Sequence, residues 1–108
     1  MSELNIVSAN TFNERVLQSN TPIVVDFWAA WCPPCKKITP MLEQASVDYE
    51  GRLQIVKVDC DQDQKLASEY NIRNIPALIL FNNGKEVKRR GGVLNRSTFD
   101  DFVKDTVR

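Results

Sequence analysis

Apolar and polar positions follow two rhythms along this chain. Pro22-Ile23-Val24-Val25-Asp26-Phe27-Trp28-Ala29 is almost continuously apolar, as in a parallel-type strand covered on both faces. From Pro34 to about Tyr49, apolar residues instead recur at spacings of three and four (Ile38, Met41, Leu42, Ala45, Tyr49), which predicts a helix. Pro34 suits its first position, where a missing N–H does little harm. Pro40 lies inside it and should kink it, because residue 36 loses its hydrogen-bond partner.

The same reading extends to the rest of the chain. Leu4-Asn5-Ile6-Val7 predicts a short first strand, and Thr11 with Glu14 fits a capping box opening a helix to about Gln18. Leu53 to Asp59 is a third strand, and Asp63 or a neighbour caps a short helix to Tyr70. Ala77 to Phe81 is a fourth strand, and Asn82-Asn83-Gly84 signals a hairpin into a fifth, from about Glu86 to Arg90. Asn95 caps a last helix that turns Phe99, Phe102, Val103 and Val107 inward. The order is β-α-β-α-β-α-β-β-α. Strands joined through helices are expected to pair in parallel, with the hairpin adding an antiparallel edge. The fold class is therefore α/β, a mixed five-stranded central sheet with helices on both faces.

Composition narrows the function classes. With 108 residues and no linker, repeat or low-complexity tract, residues 1–108 are expected to form a single domain. Fourteen basic residues balance fourteen acidic ones, so charge gives no case for nucleic acid or an anionic membrane. The apolar runs are too short to span a bilayer. Met1-Ser2-Glu3-Leu4-Asn5 lacks the basic and apolar regions of a signal peptide, which points to a cytoplasmic, reducing compartment. Three cysteines make no disulfide framework; they suit a redox motif plus a bystander.

The chemistry concentrates in Trp31-Cys32-Pro33-Pro34-Cys35-Lys36, at the junction of the apolar strand and the helix. Two sulfurs at this spacing can close a small disulfide or open to a dithiol. Backbone N–H groups and the helix dipole there favour thiolate over thiol. An inert buried pair is the bland alternative. Zinc is a poor one, because it takes about four ligands and the chain offers one further cysteine and no histidine. Asp26 is a carboxyl inside an apolar strand, read either as a proton carrier or as a structural partner, with Lys57 on the next strand as the candidate for that pairing. Lys57 is equally readable as a strand lysine reaching for water. Cys60 is read as a small strand-end residue, with a regulatory thiol as the lesser alternative.

A set of residues running through the whole chain resembles the thioredoxin family. They are Asp26-Phe27-Trp28-Ala29, Trp31-Cys32, Pro34-Cys35-Lys36, Pro40, Lys57, Asp61, Ile75-Pro76, Phe81, Asn83-Gly84 and Gly92. The resemblance implies a thioredoxin fold and dithiol–disulfide exchange with no bound cofactor, the working group being a redox-active Cys32–Cys35 disulfide. Cys32, at the exposed edge of the helix start, would be the nucleophile. Cys35, one turn in and more buried, would resolve the mixed disulfide, with Asp26 as its proton acceptor and donor and Lys57 as the partner of Asp26. The Ile75–Pro76 bond would be cis and face the sulfurs. Trp31, Ile75, Pro76, Gly92 and Val93 would form a flat apolar groove for an extended substrate. Pro33 stands where the family usually has Gly, so Pro33 and Pro34 are expected to tune the redox potential. The implied function is a general protein disulfide reductase, monomeric and fed by a flavin-dependent thioredoxin reductase, with diverse disulfide-containing clients. A reductant dedicated to one pathway, or a redox-silent binding module, are the other readings.

Overall fold

The computed structural model describes residues 4–107. The strands are β1 (Asn5–Ile6), β2 (Ile23–Trp28), β3 (Gln54–Asp59), β4 (Ala77–Asn82) and β5 (Lys85–Gly91). The helices are α1 (Ala9–Phe12), α2 (Pro33–Asp48), α3 (Gln64–Glu69) and α4 (Arg96–Val103), in the predicted order. The sheet runs β1-β3-β2-β4-β5, so the apolar strand β2 sits at its centre.

Side chains alternate across a strand, and two cores result. Val24, Ile55, Leu78 and Leu80 face one side, under Ile38 and Leu42 of α2 and Phe99 and Val103 of α4. Val25, Phe27, Val56, Val58 and Ile79 face the other, against Phe12, Val16, Leu66 and Ala67. Helices thus cover both faces, as expected for a central strand with no polar side.

Pairing departs from the expectation at one place. β1, β3 and β2 are parallel, but β4 is antiparallel to β2 as well as to β5. The connection from β3 carries only the six-residue helix α3, and β4 starts at the end of the sheet where β3 ends and runs back. This brings the loop before β4 to the same end of the sheet as the end of β2.

Helix starts also shift. The first helix opens at Ala9, one turn before the expected box: Ser8 N–H donates to Thr11 Oγ1 at 3.1 Å. Thr11 reaches back as the Glu of a capping box would, so the Thr11–Glu14 pairing is not used. The segment Asn13–Leu17 then widens, with Gln18 N–H reaching the carbonyl five residues back, on Asn13, at 2.9 Å. Asp63 stands at the head of α3, but its carboxylate accepts from Ala9 N–H at 3.1 Å instead of capping its own helix. Asn95 does cap α4, accepting from Thr98 N–H at 2.9 Å. Helix α2 runs unbroken through Pro40. Asn83 (φ 54°) and Gly84 (φ 80°) make the tight hairpin, and a Cβ on Gly84 would lie 2.6 Å from the Leu17 carbonyl oxygen.

Candidate functional site

Helix α2 starts at Pro33, one residue earlier than expected, which puts both prolines in its first turn and makes Cys32 the N-cap. Neither proline has an N–H, so the first free donor of the helix is that of Cys35. It points at Cys32 Sγ, 3.3 Å away. A sulfur therefore takes the place of the usual capping oxygen, at the positive end of a sixteen-residue helix. Cys32 and Cys35 are joined as a disulfide, with Cα atoms 5.3 Å apart.

The expected contrast in exposure between the two sulfurs is nearly absent. Cys32 is 3% exposed and Cys35 1%, because Ala29, Trp28 and Ile75 close around them. Access belongs to their surroundings: Trp31 is 67% exposed, and Pro33 and Pro34 are exposed beside it. Across the site the Ile75–Pro76 bond is cis, and the Ile75 carbonyl oxygen lies 3.9 Å from Cys32 Sγ. Pro76 is buried and its carbonyl accepts from Gly92 N–H at 2.9 Å, which joins the loop after β5 to the proline loop. Gly92 has φ +84°, a conformation that favours glycine, and exposed Val93 follows it. The five groove residues named from the sequence thus come to one end of the sheet with the sulfurs.

Asp26 follows from strand parity. It shares a face with Val24, the face that α2 covers, and it is the one charged side chain among the buried residues described. Burial pushes its carboxyl up from 3.8 to about 7, and the charge of Lys57 offsets only part of that. The two residues are register partners between β2 and β3, yet no ion pair joins them among the described residues. The ammonium of Lys57 lies over the Trp28 ring instead, 4.4 Å from its centre. Asp26 Oδ1 has no hydrogen-bond partner among the described residues. Lys57 thus acts on Asp26 through its field, not a bond. Trp28 as the seat of Lys57 was missed from the sequence. The signal was there in two residues of β2 and one of β3 sharing a face, but it requires the register.

Cys60 sits apart, half-buried on the α3 side of the sheet. Burial first, then Asp59, Asp61 and Asp26, push its thiol up to about 11. Among the described residues no three His, Cys, Asp or Glu side chains come together to hold a metal ion, and no helix is long and apolar enough to cross a membrane.

A vicinal disulfide-forming pair capping a helix at the end of a central strand, opposite a cis-proline loop, defines a thiol–disulfide oxidoreductase of the α/β class. The sequence model of the family described as Thioredoxin matches residues 3–105. Thioredoxin C-2 of Corynebacterium nephridii is 46% identical over 96 residues, 89% of each chain. Thioredoxin 1 of Nostoc sp. is 40% identical over 104 residues, 96% of this chain and 97% of the relative. The chain belongs to the thioredoxin family.

Proposed function

We propose that this chain is a general protein disulfide reductase of the cytoplasm, a single-domain monomer that takes electrons from a flavin-dependent thioredoxin reductase and gives them to client disulfides. The observation that carries the reading is the aim of Cys35 N–H at Cys32 Sγ, a donor placed where negative charge develops on sulfur. In the reduced protein the Cys32 thiolate attacks one sulfur of a client disulfide. A Cys32–client S–S bond forms, the client S–S bond breaks, and the departing client thiolate takes up a proton. Cys35 then loses its proton to Asp26, whose carboxyl, raised to about 7, is suited to exchange it near neutrality. The Cys35 thiolate attacks Cys32 Sγ, closing the Cys32–Cys35 disulfide and releasing the second client thiolate. Two electrons have moved from this dithiol to the client. Lys57 keeps Asp26 from holding its proton too tightly.

Trp31, Ile75, Pro76, Gly92 and Val93 would receive the client as an extended strand beside the sulfurs. Pro33 and Pro34 would set the redox potential by fixing the first turn. The radius of gyration, 12.5 Å, is close to the roughly 13 Å of a single domain of this length. The test is insulin reduction driven by NADPH and a thioredoxin reductase. The parent should turn over, Cys32→Ser should be inactive, and Cys35→Ser should accumulate client-linked mixed disulfides through Cys32. Client binding that persists in both variants, with no reduction by the parent, would mean a clamp instead of a reductase.

A further inference from the structure

Lys57 has two neighbours to choose between, and it takes the one without a charge. It is the register partner of Asp26, on the face that α2 covers, yet no ion pair joins the two among the described residues. Its ammonium lies 4.4 Å from the centre of the Trp28 ring instead. Trp28 follows Asp26 by two residues in β2 and so shares its face. The ring is seated in turn by the site, packing against Ala29, Cys32 and Cys35. Lys57 is half-buried, so an ammonium on the ring keeps part of its water, which contact with the buried carboxylate would strip away. The ring also attracts a cation whether or not Asp26 is ionised.

Other groups give Asp26 little to pair with. Its partner on β4 is Leu78, and over this face α2 brings Ile38 and Leu42, with Cys35 a turn earlier in the disulfide. Phe99 and Val103 come from α4, and Lys36 and Lys37 of α2 are exposed to water. Asp59, the register partner of Trp28, already accepts from the N–H groups of Asp61 and Gln62 at 2.9 and 3.3 Å. Cys60 packs with the opposite core, although the charge of Asp26 reaches it.

We propose that Trp28 is a positioning residue: its ring holds the Lys57 ammonium off the Asp26 carboxylate, so that Asp26 stays unpaired and free to take the proton that Cys35 gives up. The use of that proton rests on the disulfide-reductase reading above; the geometry does not. A contact ion pair would favour the ionised carboxylate and make Asp26 a weaker base. The proton of Cys35 Sγ must pass to a carboxylate oxygen before the thiolate attacks Cys32 Sγ, so a weaker base slows client release. From the ring, Lys57 tempers Asp26 without capturing it.

The test is the titration of Asp26 in the oxidised full chain, followed by carbon-13 NMR of its carboxyl. The parent should titrate at about 7. Trp28→Phe keeps a ring face and should stay near the parent. Trp28→Leu and Trp28→Met let Lys57 fall onto Asp26 and should titrate lower by about one pH unit. In a Lys57→Met background the Phe and Leu variants should titrate together, because what separates them is the lysine. The parent alone gives a second check that does not depend on any variant folding. Its Lys57 ε-methylene protons should be shifted upfield by the ring both below and above the Asp26 midpoint. In the reduced chains carrying Cys35, client release from a Cys32-linked mixed disulfide at pH 8 should be about threefold slower with Leu at position 28 than with Phe. Equal midpoints or equal release rates for Leu and Phe, a midpoint that rises in Leu, a difference that survives without Lys57, or a ring shift lost on ionisation would each overturn the proposal. Failure of the parent to reduce insulin would instead overturn the reductase reading, and the titrations of the oxidised chain would still decide whether Trp28 holds Lys57 off Asp26.

Discussion

The carboxyl of Asp26 holds its proton to about 7 in the folded protein, while an unfolded chain releases it near 3.8. Between those values the folded state binds a proton that the unfolded state has lost. The site's contribution to stability is therefore full below about pH 4, declines as pH rises, and is gone above about pH 7. Asp26→Ala removes the titrating group. Denaturant melts of the oxidised protein should show little difference from the parent at pH 4 and a gain of a few kcal/mol at pH 8. The same variant should reduce insulin more slowly at pH 7, having lost the acceptor for the Cys35 proton. An Asp26→Ala protein less stable than the parent at pH 8 would refute the burial account. Cys60 is the contrasting residue. With its thiol raised from 9.0 to about 11, its thiolate fraction at neutral pH falls about a hundredfold. Iodoacetamide at pH 7 should therefore label Cys32 of the reduced protein well before Cys60, as peptide mass spectrometry would show. Asp26 was legible in the sequence because a charge within a covered strand has nowhere wet to point. The seat of Lys57 on Trp28 was not, because alternation assigns a face but not the neighbour met across it.

Among the elements, α2 carries the site, and its first turn is unusual in having proline at both of its first two positions. Neither proline costs a hydrogen bond there, and each restricts the unfolded chain. Pro33→Gly should lower stability by about 1 kcal/mol in chemical denaturation. It should also move the reduction potential by tens of millivolts, measured against a glutathione couple, where about 30 mV corresponds to 1.4 kcal/mol. A potential unchanged within error would show that this turn does not set it. The helix itself was plain from its spacing of apolar residues, and its start was displaced by only one residue. The first helix was harder to place. Ser8 and Thr11 form a weaker motif on paper than Thr11 and Glu14, and the choice rests on Ser8 having the extended backbone that an N-cap needs (φ −114°, ψ 174°).

At the scale of the whole molecule, the two ends of α2 are fastened differently. Its far end is tied to α4 by Arg96, which bridges Asp48 at 2.7 Å and Asp100 at 2.8 Å and lies 5.5 Å from the centre of the Tyr49 ring. Tyr49 O–H also donates to Asp100 at 2.7 Å. The cluster is partly exposed, so Arg96→Ala should cost only about 1 kcal/mol in a thermal or denaturant melt, less at high salt. A sixteen-residue helix, about 24 Å long, separates it from the sulfurs, so insulin turnover should stay at the parent rate. A large fall in turnover without loss of fold would mean that the cluster reaches the site. The order of elements was readable from the chain, but the direction of β4 was not. Hydrophobic pattern marks a strand without orienting it. At the other end of α2 the capping atom is a sulfur that gains and loses electrons. Folding and redox poise therefore belong to one thermodynamic cycle. Oxidised and reduced chains each unfold, and their unfolded forms are linked by the potential of an unstructured dithiol. Closing the cycle requires that any gap in folding free energy between the two forms reappear as a displacement of the native potential from that of the unstructured pair. Two melting experiments then report a potential without an electrode. Any substitution that makes the first turn of α2 grip the thiolate more firmly than the disulfide makes the chain a stronger oxidant.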